Sequence, residues 1–284
     1  MGIDLDVAKF LFSARERNVD FHKSLMLGNQ AFQFFNSDYQ SLSDTFRLNN
    51  FDQIETGAEF LRFLGAEEVS SMDISDYEGA AILHNLNKPI GAELKEKFTL
   101  VLDGGTLEHV FNFPTALANA MEMVETGGHL IVITGGNNFL GHGFYQFSPE
   151  LFYRALSEEN GFRVKRMIAA EVRGKWSEVA DPKKIKGRVE LINEKQVYLM
   201  VLAQKTASRS LFAKAPQQSD YVEIWRSAEE NKINQSSSDK LKNILKKNKA
   251  VRQILVNIKQ KQIDSHLRRE KSFANSKAFK LVDK

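Results

Sequence analysis

The chain has 284 residues, of which 42% are hydrophobic and 26% are charged. This composition is typical of a globular protein with a sizeable core, and it excludes collagen-like structure and disorder throughout. Because the sequence contains no cysteine, disulfide scaffolds, thiol nucleophiles and thiolate metal sites are excluded as well. The charged start MGIDLDVAKF and the lack of any run of roughly 18 apolar residues predict a soluble, cytoplasmic protein.

Charge is unevenly distributed along the chain. Residues 231–284 carry 15 Lys/Arg against 4 Asp/Glu, whereas residues 1–230 carry 24 against 32. We therefore predict an acidic folded domain over 1–230 and a basic, helical C-terminal extension over 231–284, joined near the polar run Asn234–Asp239. Such an extension is suited to contact an anionic surface or a partner helix.

The body alternates short apolar strands with longer helix-like segments, which predicts an α/β fold with a mainly parallel sheet. The predicted helices cover residues 5–17, 56–64, 113–124 and 148–159. The predicted strands cover residues 24–27, 68–73, 98–103, 129–134, 162–170 and 197–204. Gly-Gly at 127–128 is predicted to end the third helix, Ser148 to cap the fourth, and the lysine-rich stretch 181–188 to be a loop.

Order and spacing resemble the class I S-adenosylmethionine-dependent methyltransferases over about residues 5–205. The segments that carry the resemblance are FTLVLDGGTLEHVFN at 98–112 and ETGGHLIVIT at 125–134. The resemblance implies a Rossmann-like methyltransferase sheet, mainly parallel with an antiparallel C-terminal strand. It also implies S-adenosylmethionine as the cofactor and methyl transfer as the activity.

The first loop departs from the family pattern. Where the family has an acidic residue followed by three alternating glycines, this chain has Leu27-Gly28-Asn29-Gln30. Glycines at that place let the backbone approach the cofactor without a clash with a Cβ atom. Either the amides of Asn29 and Gln30 replace those contacts, or the loop is an ordinary turn in a protein that has lost cofactor binding.

Two later strand ends carry further candidate cofactor contacts. The resemblance implies that Asp73, at the end of the second strand, accepts hydrogen bonds from both ribose hydroxyls. It also implies that Asn85 binds the edge of the adenine base. The alternatives are that Asp73 initiates a turn and that Asn85 is a solvent-facing loop residue.

The segment Asp103-Gly104-Gly105 follows the strand that flanks the expected switch point of the sheet, where open α/β sheets bind ligands. We expect all three residues to contact the cofactor, with glycines allowing close approach. The resemblance places His109 in the wall of the cofactor pocket. Glu108 and His109 are adjacent, so on a helix they point about 100° apart and cannot form an acid–base pair by spacing alone.

The glycine- and aromatic-rich stretch at 135–147 indicates a binding loop. The resemblance places it beside the methyl acceptor, so His142 is a candidate general base and Tyr145 a candidate for orienting the acceptor. Alternatively, His142 caps a helix or bonds to backbone. No His, Asp or Glu spacing indicates a metal site, and no Gly-x-Ser-x-Gly or P-loop motif occurs, so we predict no metal.

The basic extension has apolar residues at spacings of three and four, which predicts an amphipathic helix. Positions 241, 244, 248, 251, 255 and 258 form one seam, with Asn248 inside it. Three interpretations remain open: the helix packs on its own domain, pairs with another helix, or contacts an anionic membrane or polyanion.

Together these features predict methyl transfer from S-adenosylmethionine to a hydroxyl or amine of a small molecule or sugar. The rival hypothesis is a catalytically inactive relative that works as a binding or scaffold protein. A nicotinamide-dependent oxidoreductase is disfavoured, because the chain lacks a Gly-x-Gly-x-x-Gly fingerprint.

Overall fold

The structure is a computed structural model, and it describes residues 2–46, 54–233, 249–270 and 273–282. The chain forms two compact units. The first comprises residues 1–179, 195–216 and 281–284, and the second comprises 180–194 and 217–280. The predicted boundary at residue 230 thus lies inside the second unit. Within the described ranges, none of the helices has the length and apolar character needed to cross a membrane.

Strands and helices alternate along most of the chain. The described strands are β1 (Lys23–Leu27), β2 (Glu68–Asp73), β3 (Ile82–Leu83), β4 (Phe98–Asp103), β5 (Val124–Asn137), β6 (Phe162–Glu171), β7 (Trp176–Val179), β8 (Leu191–Ile192), β9 (Val197–Lys205), β10 (Phe273–Ala274) and β11 (Phe279–Val282). The described helices are α1 (Leu5–Glu16), α2 (Asn36–Phe46), α3 (Gly57–Phe63), α4 (Phe113–Met123), α5 (Pro149–Ala155), α6 (Pro182–Ile185), α7 (Ser219–Ile233) and α8 (Lys249–Glu270).

In the first unit the strand order is β7-β6-β9-β5-β4-β1-β2-β3. Strands β1 to β5 pair in parallel, and β9 lies antiparallel between β5 and β6. The predicted Rossmann-like sheet with an antiparallel C-terminal strand is therefore confirmed. Because the strand order reverses at β1 and β4, the crevice for a ligand lies at their carboxyl ends.

Local sequence explains why these elements form. All six residues of β4 are buried, as expected for a central strand covered on both faces. Helix α1 begins at Asp4, whose carboxylate accepts a hydrogen bond from the amide of Val7. Helix α3 begins with a capping box, in which Thr56 and Glu59 satisfy each other's backbone amides.

Buried polar contacts hold α1 and α2 to the β6–β7 hairpin. The fully buried carboxylate of Asp6 accepts hydrogen bonds from the backbone amide of Arg173, at 2.6 Å, and from the indole nitrogen of Trp176, at 3.2 Å. The guanidinium of Arg173 binds both carboxylate oxygens of Asp38, at 2.9 and 2.7 Å, and lies over the ring of Phe35. A bidentate pair of this kind fixes both position and orientation.

Some sequence expectations about this unit are wrong in detail. Strand β5 begins directly after α4, at Val124, so Gly127 and Gly128 lie within the strand rather than ending a helix. They lie where the pairing of β5 with β4 shifts register, because Phe98 pairs with Val124 whereas Leu100 pairs with His129. Helix α5 ends at Ala155, followed by a 3-10 turn. Ser148 directly precedes α5 as predicted, but its side chain makes no capping hydrogen bond.

The second unit contains α6, α7, α8 and the short β8–β10 pair. Residues 182–185, predicted as loop, form α6, and Asp181 caps it. Ion pairs link Arg188 to Asp220, at 2.7 Å, and Glu190 to Lys259 on α8, also at 2.7 Å. A helix is present in the predicted extension as α8, and the predicted apolar positions Ile254 and Ile258 are exposed on it. Its seam positions 241, 244 and 248 lie outside the described residues.

Candidate functional site

The carboxyl ends of β1 and β2 bring Gly28 and Asp73 together, as the sequence predicted. Gly28 has a φ of +72°, and a Cβ atom there would lie 3.9 Å from Oδ2 of Asp73 and 2.9 Å from Oγ1 of Thr106. The other oxygen of Asp73, Oδ1, accepts the backbone amide of Ile74 at 2.6 Å. The second carboxylate oxygen therefore faces the glycine across the end of the sheet.

Gln30 lies in the crevice between β1 and β4. Its side chain is buried, and Nε2 donates to the carbonyl of Leu27 at 2.6 Å. A Cβ atom on Gly104 would lie 2.5 Å from Oε1 of Gln30, so a larger residue there would require the side chain of Gln30 to move. Oε1 itself accepts no hydrogen bond from any described residue. Gln30 thus presents a free acceptor where ligands of such sheets bind.

Asp103, at the end of β4, is fully buried. Its Oδ1 accepts the amides of Thr106, at 2.8 Å, and Leu107, at 3.2 Å, whereas Oδ2 has no hydrogen-bond partner within the described chain. Burial and, to a smaller extent, the nearby charge of Glu108 raise the pKa of this carboxyl to about 8. A cation or strong donor beside Oδ2 would favour the ionised form. Gly105, the next residue but one, has a φ of +101° and lets the chain turn sharply here.

A 3-10 turn at Leu107–His109 directs two side chains to different environments. Glu108 is fully buried, and neither of its carboxylate oxygens accepts a hydrogen bond from a described residue. His109 is exposed at the surface beside it. Partial burial lowers the pKa of His109, and the neighbouring His142 ring lowers it as well. An unpartnered buried carboxylate is costly, so a group that supplies charge or a donor is expected next to it.

The loop after β5 brings His142 to Glu108. Nε2 of His142 lies 3.4 Å from Oε1 of Glu108, and the rings of His142 and His109 are 4.8 Å apart. The amide of Phe144 donates to the carbonyl of Glu108, at 2.8 Å. Gly143 has a φ of +71°, and a Cβ atom there would lie 2.9 Å from that carbonyl oxygen. The two segments are therefore closely packed.

Aromatic contacts hold this loop in place. The buried ring of Phe139 stacks on Tyr198 with centroids 5.4 Å apart. The hydroxyl of Tyr145 donates to the carbonyl of Phe111, at 2.7 Å, and its ring stacks on Phe147. The side chain of Tyr145, predicted to orient an acceptor, therefore supports the loop in this structure.

The side chains of two predicted contacts, Asn29 and Asn85, are bonded to neighbouring loop residues. The side-chain amide of Asn29 donates to the carbonyl of Glu78, at 2.8 Å, in the loop after β2. Oδ1 of Asn85 accepts both the backbone and the side-chain amide of Asn87, at 3.0 Å each. The side-chain oxygen of Asn85 is therefore engaged within its own loop.

Sequence reasoning gave no functional role to Thr106 or Glu108. Thr106 donates from its hydroxyl to the carbonyl of Leu27, at 2.7 Å, and so links the ends of β1 and β4. The sequence indicates no role for Glu108, because the adjacent His109 points in a different direction. The histidine that approaches Glu108 is His142, which lies far along the chain in the loop after β5. The sequence gives one indication of a role for them, because both residues closely follow the Gly-Gly turn after β4.

A separate cavity of about 310 Å³ lies away from this crevice, at the amino end of β5. It is lined by residues that include Arg17, His129, Lys165, Arg166 and Glu178. None of the predicted site residues lines it. The buried, unpartnered acceptors lie instead at the carboxyl ends of β1 and β4, so we place the candidate site there.

Comparison with known proteins gives the following relatives. No protein-family model and no curated protein sequence matches the chain. The N-methyltransferase NodS from Bradyrhizobium japonicum WM9, in complex with S-adenosyl-L-homocysteine, is 12% identical, with a TM-score of 0.41 over 71% of this chain and 87% of NodS. TehB from Haemophilus influenzae is 15% identical, with a TM-score of 0.37 over 69% of this chain and 62% of TehB.

A third solved structure is the branched-chain polyamine synthase from Thermus thermophilus in complex with N4-aminopropylspermidine and 5'-methylthioadenosine. It is 11% identical, with a TM-score of 0.39, and the match covers 73% of this chain and 57% of the synthase. The chain thus spans less than two thirds of TehB and of the synthase. By its own strand order, this protein has the Rossmann-like fold of the class I S-adenosylmethionine-dependent methyltransferases.

Proposed function

We propose that the protein transfers a methyl group from S-adenosylmethionine to a hydroxyl or amine of a small molecule or sugar. The observation that carries this proposal is the set of buried acceptors without donors at the switch point: Oε1 of Gln30 and Oδ2 of Asp103. The cofactor has an ammonium and a sulfonium group, which are both positive. The two buried acceptors at the switch point are complementary to these positive groups.

The residues of the crevice would hold the cofactor in three parts. Asp73 would accept the ribose hydroxyls, and Gln30 and Asp103 would accept the amino group of the methionine portion. Gly28 and Gly104 would let the backbone approach it closely. In this proposal neither Asn29 nor Asn85 contacts the cofactor, because their side chains already bond to Glu78 and Asn87.

Catalysis would be mainly alignment. When bound, the cofactor supplies an electrophilic methyl group. The residues of the crevice would hold that methyl group in line with a lone pair of the acceptor, whose proton would pass to solvent. The loop that carries His142 would face the acceptor, and the exposed apolar side chains of Phe111, Leu140 and Phe144 border it. We infer that an apolar part of the acceptor packs there.

A second function has one observation in its favour. The side chain of Gln30 lies in the crevice where the glycine-rich loop of the family leaves room. A protein that no longer binds the cofactor, and serves as a binding or scaffold protein, would tolerate such a residue. The basic C-terminal extension would then be its contact with an anionic surface.

Calorimetric titration of the full chain with S-adenosylmethionine and S-adenosylhomocysteine separates the two functions. Micromolar binding that weakens at least roughly 10-fold in Asp73→Ala supports the methyltransferase, since two hydrogen bonds to a carboxylate are lost. Asp76→Ala is the matched control, because Asp76 is exposed in the same loop but lies beyond the crevice. The absence of any binding heat at millimolar ligand by the folded protein would establish the scaffold function instead.

A further inference from the structure

Glu108, His109 and His142 form a compact cluster beside the cofactor crevice. One ligand atom from each residue lies within 4.8 Å of the other two. We propose that this cluster binds a divalent transition-metal ion, such as Zn²⁺ or Mn²⁺. This inference adds a metal to the proposed methyltransferase but rests on different residues from the cofactor site.

The chemistry of the three ligands fits such an ion. Two imidazoles and one carboxylate are a common ligand set for catalytic zinc and for other first-row metals, and they leave coordination positions open for water or substrate. Mg²⁺ and Ca²⁺ prefer sites composed of oxygen ligands. The cluster is therefore expected to favour transition metals.

The geometry fits as well. At metal–ligand distances of about 2.0–2.2 Å, the ligand atoms of a tetrahedral site lie about 3.3–3.6 Å apart. Nε2 of His142 and Oε1 of Glu108 are already 3.4 Å apart. His109 is exposed, so its side chain can rotate to complete the set.

An independent observation points to a missing ligand. Glu108 is completely buried, and both of its carboxylate oxygens lack hydrogen-bond partners in the described part of the chain. The buried Nε2 of His142 lacks one too, although it faces Glu108. A simple ion pair would leave one carboxylate oxygen buried and unsatisfied, whereas a bound cation compensates the whole carboxylate.

The ion would act on the methyl acceptor. Its open positions would face the loop that carries His142, where an acceptor oxygen could coordinate. Coordination lowers the pKa of a bound hydroxyl, so its proton passes to solvent and the oxygen is held as a better nucleophile. His142 would then be a metal ligand rather than the general base.

The test uses the full, untagged chain stripped with a chelator and titrated with Zn²⁺, Mn²⁺ and Co²⁺. We expect one site per chain for Zn²⁺ and Co²⁺ and a visible absorption band with Co²⁺. His109→Ala and His142→Ala should each weaken binding roughly 100-fold or more, because each removes a ligand. His22→Ala is the control, since His22 lies 3.5 Å from Glu67 in an exposed pair without a second histidine.

Two results would overturn the proposal: no metal binding by the wild-type chain, or undiminished binding in a folded variant that lacks both His109 and His142. Asp73→Ala, tested in parallel, should bind metal normally while losing the cofactor. Failure of the metal site is thereby distinguished from failure of the methyltransferase proposal.

Discussion

Gly28→Ala tests whether the turn after β1 is shaped for a close approach. Gly79 offers a matched control, because its φ of +73° is nearly the same as the +72° of Gly28, and a Cβ atom on Gly79 meets nothing within 4 Å. Gly79→Ala should therefore report backbone strain alone, about 1 kcal/mol of unfolding free energy. At Gly28 the new Cβ atom would also lie 2.9 Å from Oγ1 of Thr106.

That contact sets the additional cost. The hydroxyl of Thr106 must turn away and lose its bond to the carbonyl of Leu27, which is worth roughly 0.5–1.5 kcal/mol. We expect Gly28→Ala to cost about 1.5–2.5 kcal/mol in urea denaturation followed by circular dichroism. In a Thr106→Ala background the clash is gone, so the cost should return to about 1 kcal/mol. Equal costs for Gly28→Ala and Gly79→Ala would refute the reasoning.

Ligand binding gives the same pair a second readout. Gly28→Ala places a methyl group between Asp73 and Thr106, so it should abolish measurable binding of S-adenosylmethionine in calorimetry. Gly79→Ala should leave that affinity unchanged. Tight binding by Gly28→Ala would mean that the cofactor does not approach this turn.

Three further substitutions test the supporting structure. Arg173 lowers the pKa of Asp38 through its hydrogen bonds, so this stabilisation is present above the ordinary value of 3.8 and is lost as pH falls through the lowered pKa. Asp38→Asn should cost about 1–2 kcal/mol at pH 7 and progressively less as the pH falls below 3.8, measured by denaturant titration. Trp176→Phe should cost about 2–4 kcal/mol, because it leaves Oδ1 of Asp6 without the indole donor; unchanged stability would contradict this. Phe139→Ala should cost about 3–5 kcal/mol and release the loop that carries His142, detected as faster proteolysis there.

Local sequence was sufficient for most of the fold. The buried strand FTLVLD at 98–103 and the helix at 56–64 could be identified because each depends on its own residues. The start of β5 could not, because Gly127 and Gly128 are also good helix terminators. Their place in the strand depends on pairing with β4, where a Cβ atom on Gly128 would lie 2.7 Å from the carbonyl of Thr99.

The candidate site likewise contains some residues that the sequence could place and others that it could not. Gly28 and Asp73 could be placed together, because parallel neighbouring strands end at the same edge of a sheet. The contact between Glu108 and His142 could not be foreseen, because it depends on how the loop after β5 folds back. That fold requires Gly143 at a positive φ against the backbone of Glu108. No periodicity in the sequence indicates such a contact.

The polar groups that this fold leaves unsatisfied are concentrated where its function is proposed. A buried carboxylate without partners costs several kcal/mol, and Asp103 and Glu108 both contain such oxygens at the end of β4. Their mutual repulsion adds to the cost, since Glu108 raises the pKa of Asp103. Two other buried carboxylates, those of Asp6 and Asp38, are hydrogen-bonded. Buried carboxyl groups that lack partners favour positive ligands, which stabilise their ionised forms, and this one argument supports both the cationic cofactor at Asp103 and the metal ion at Glu108.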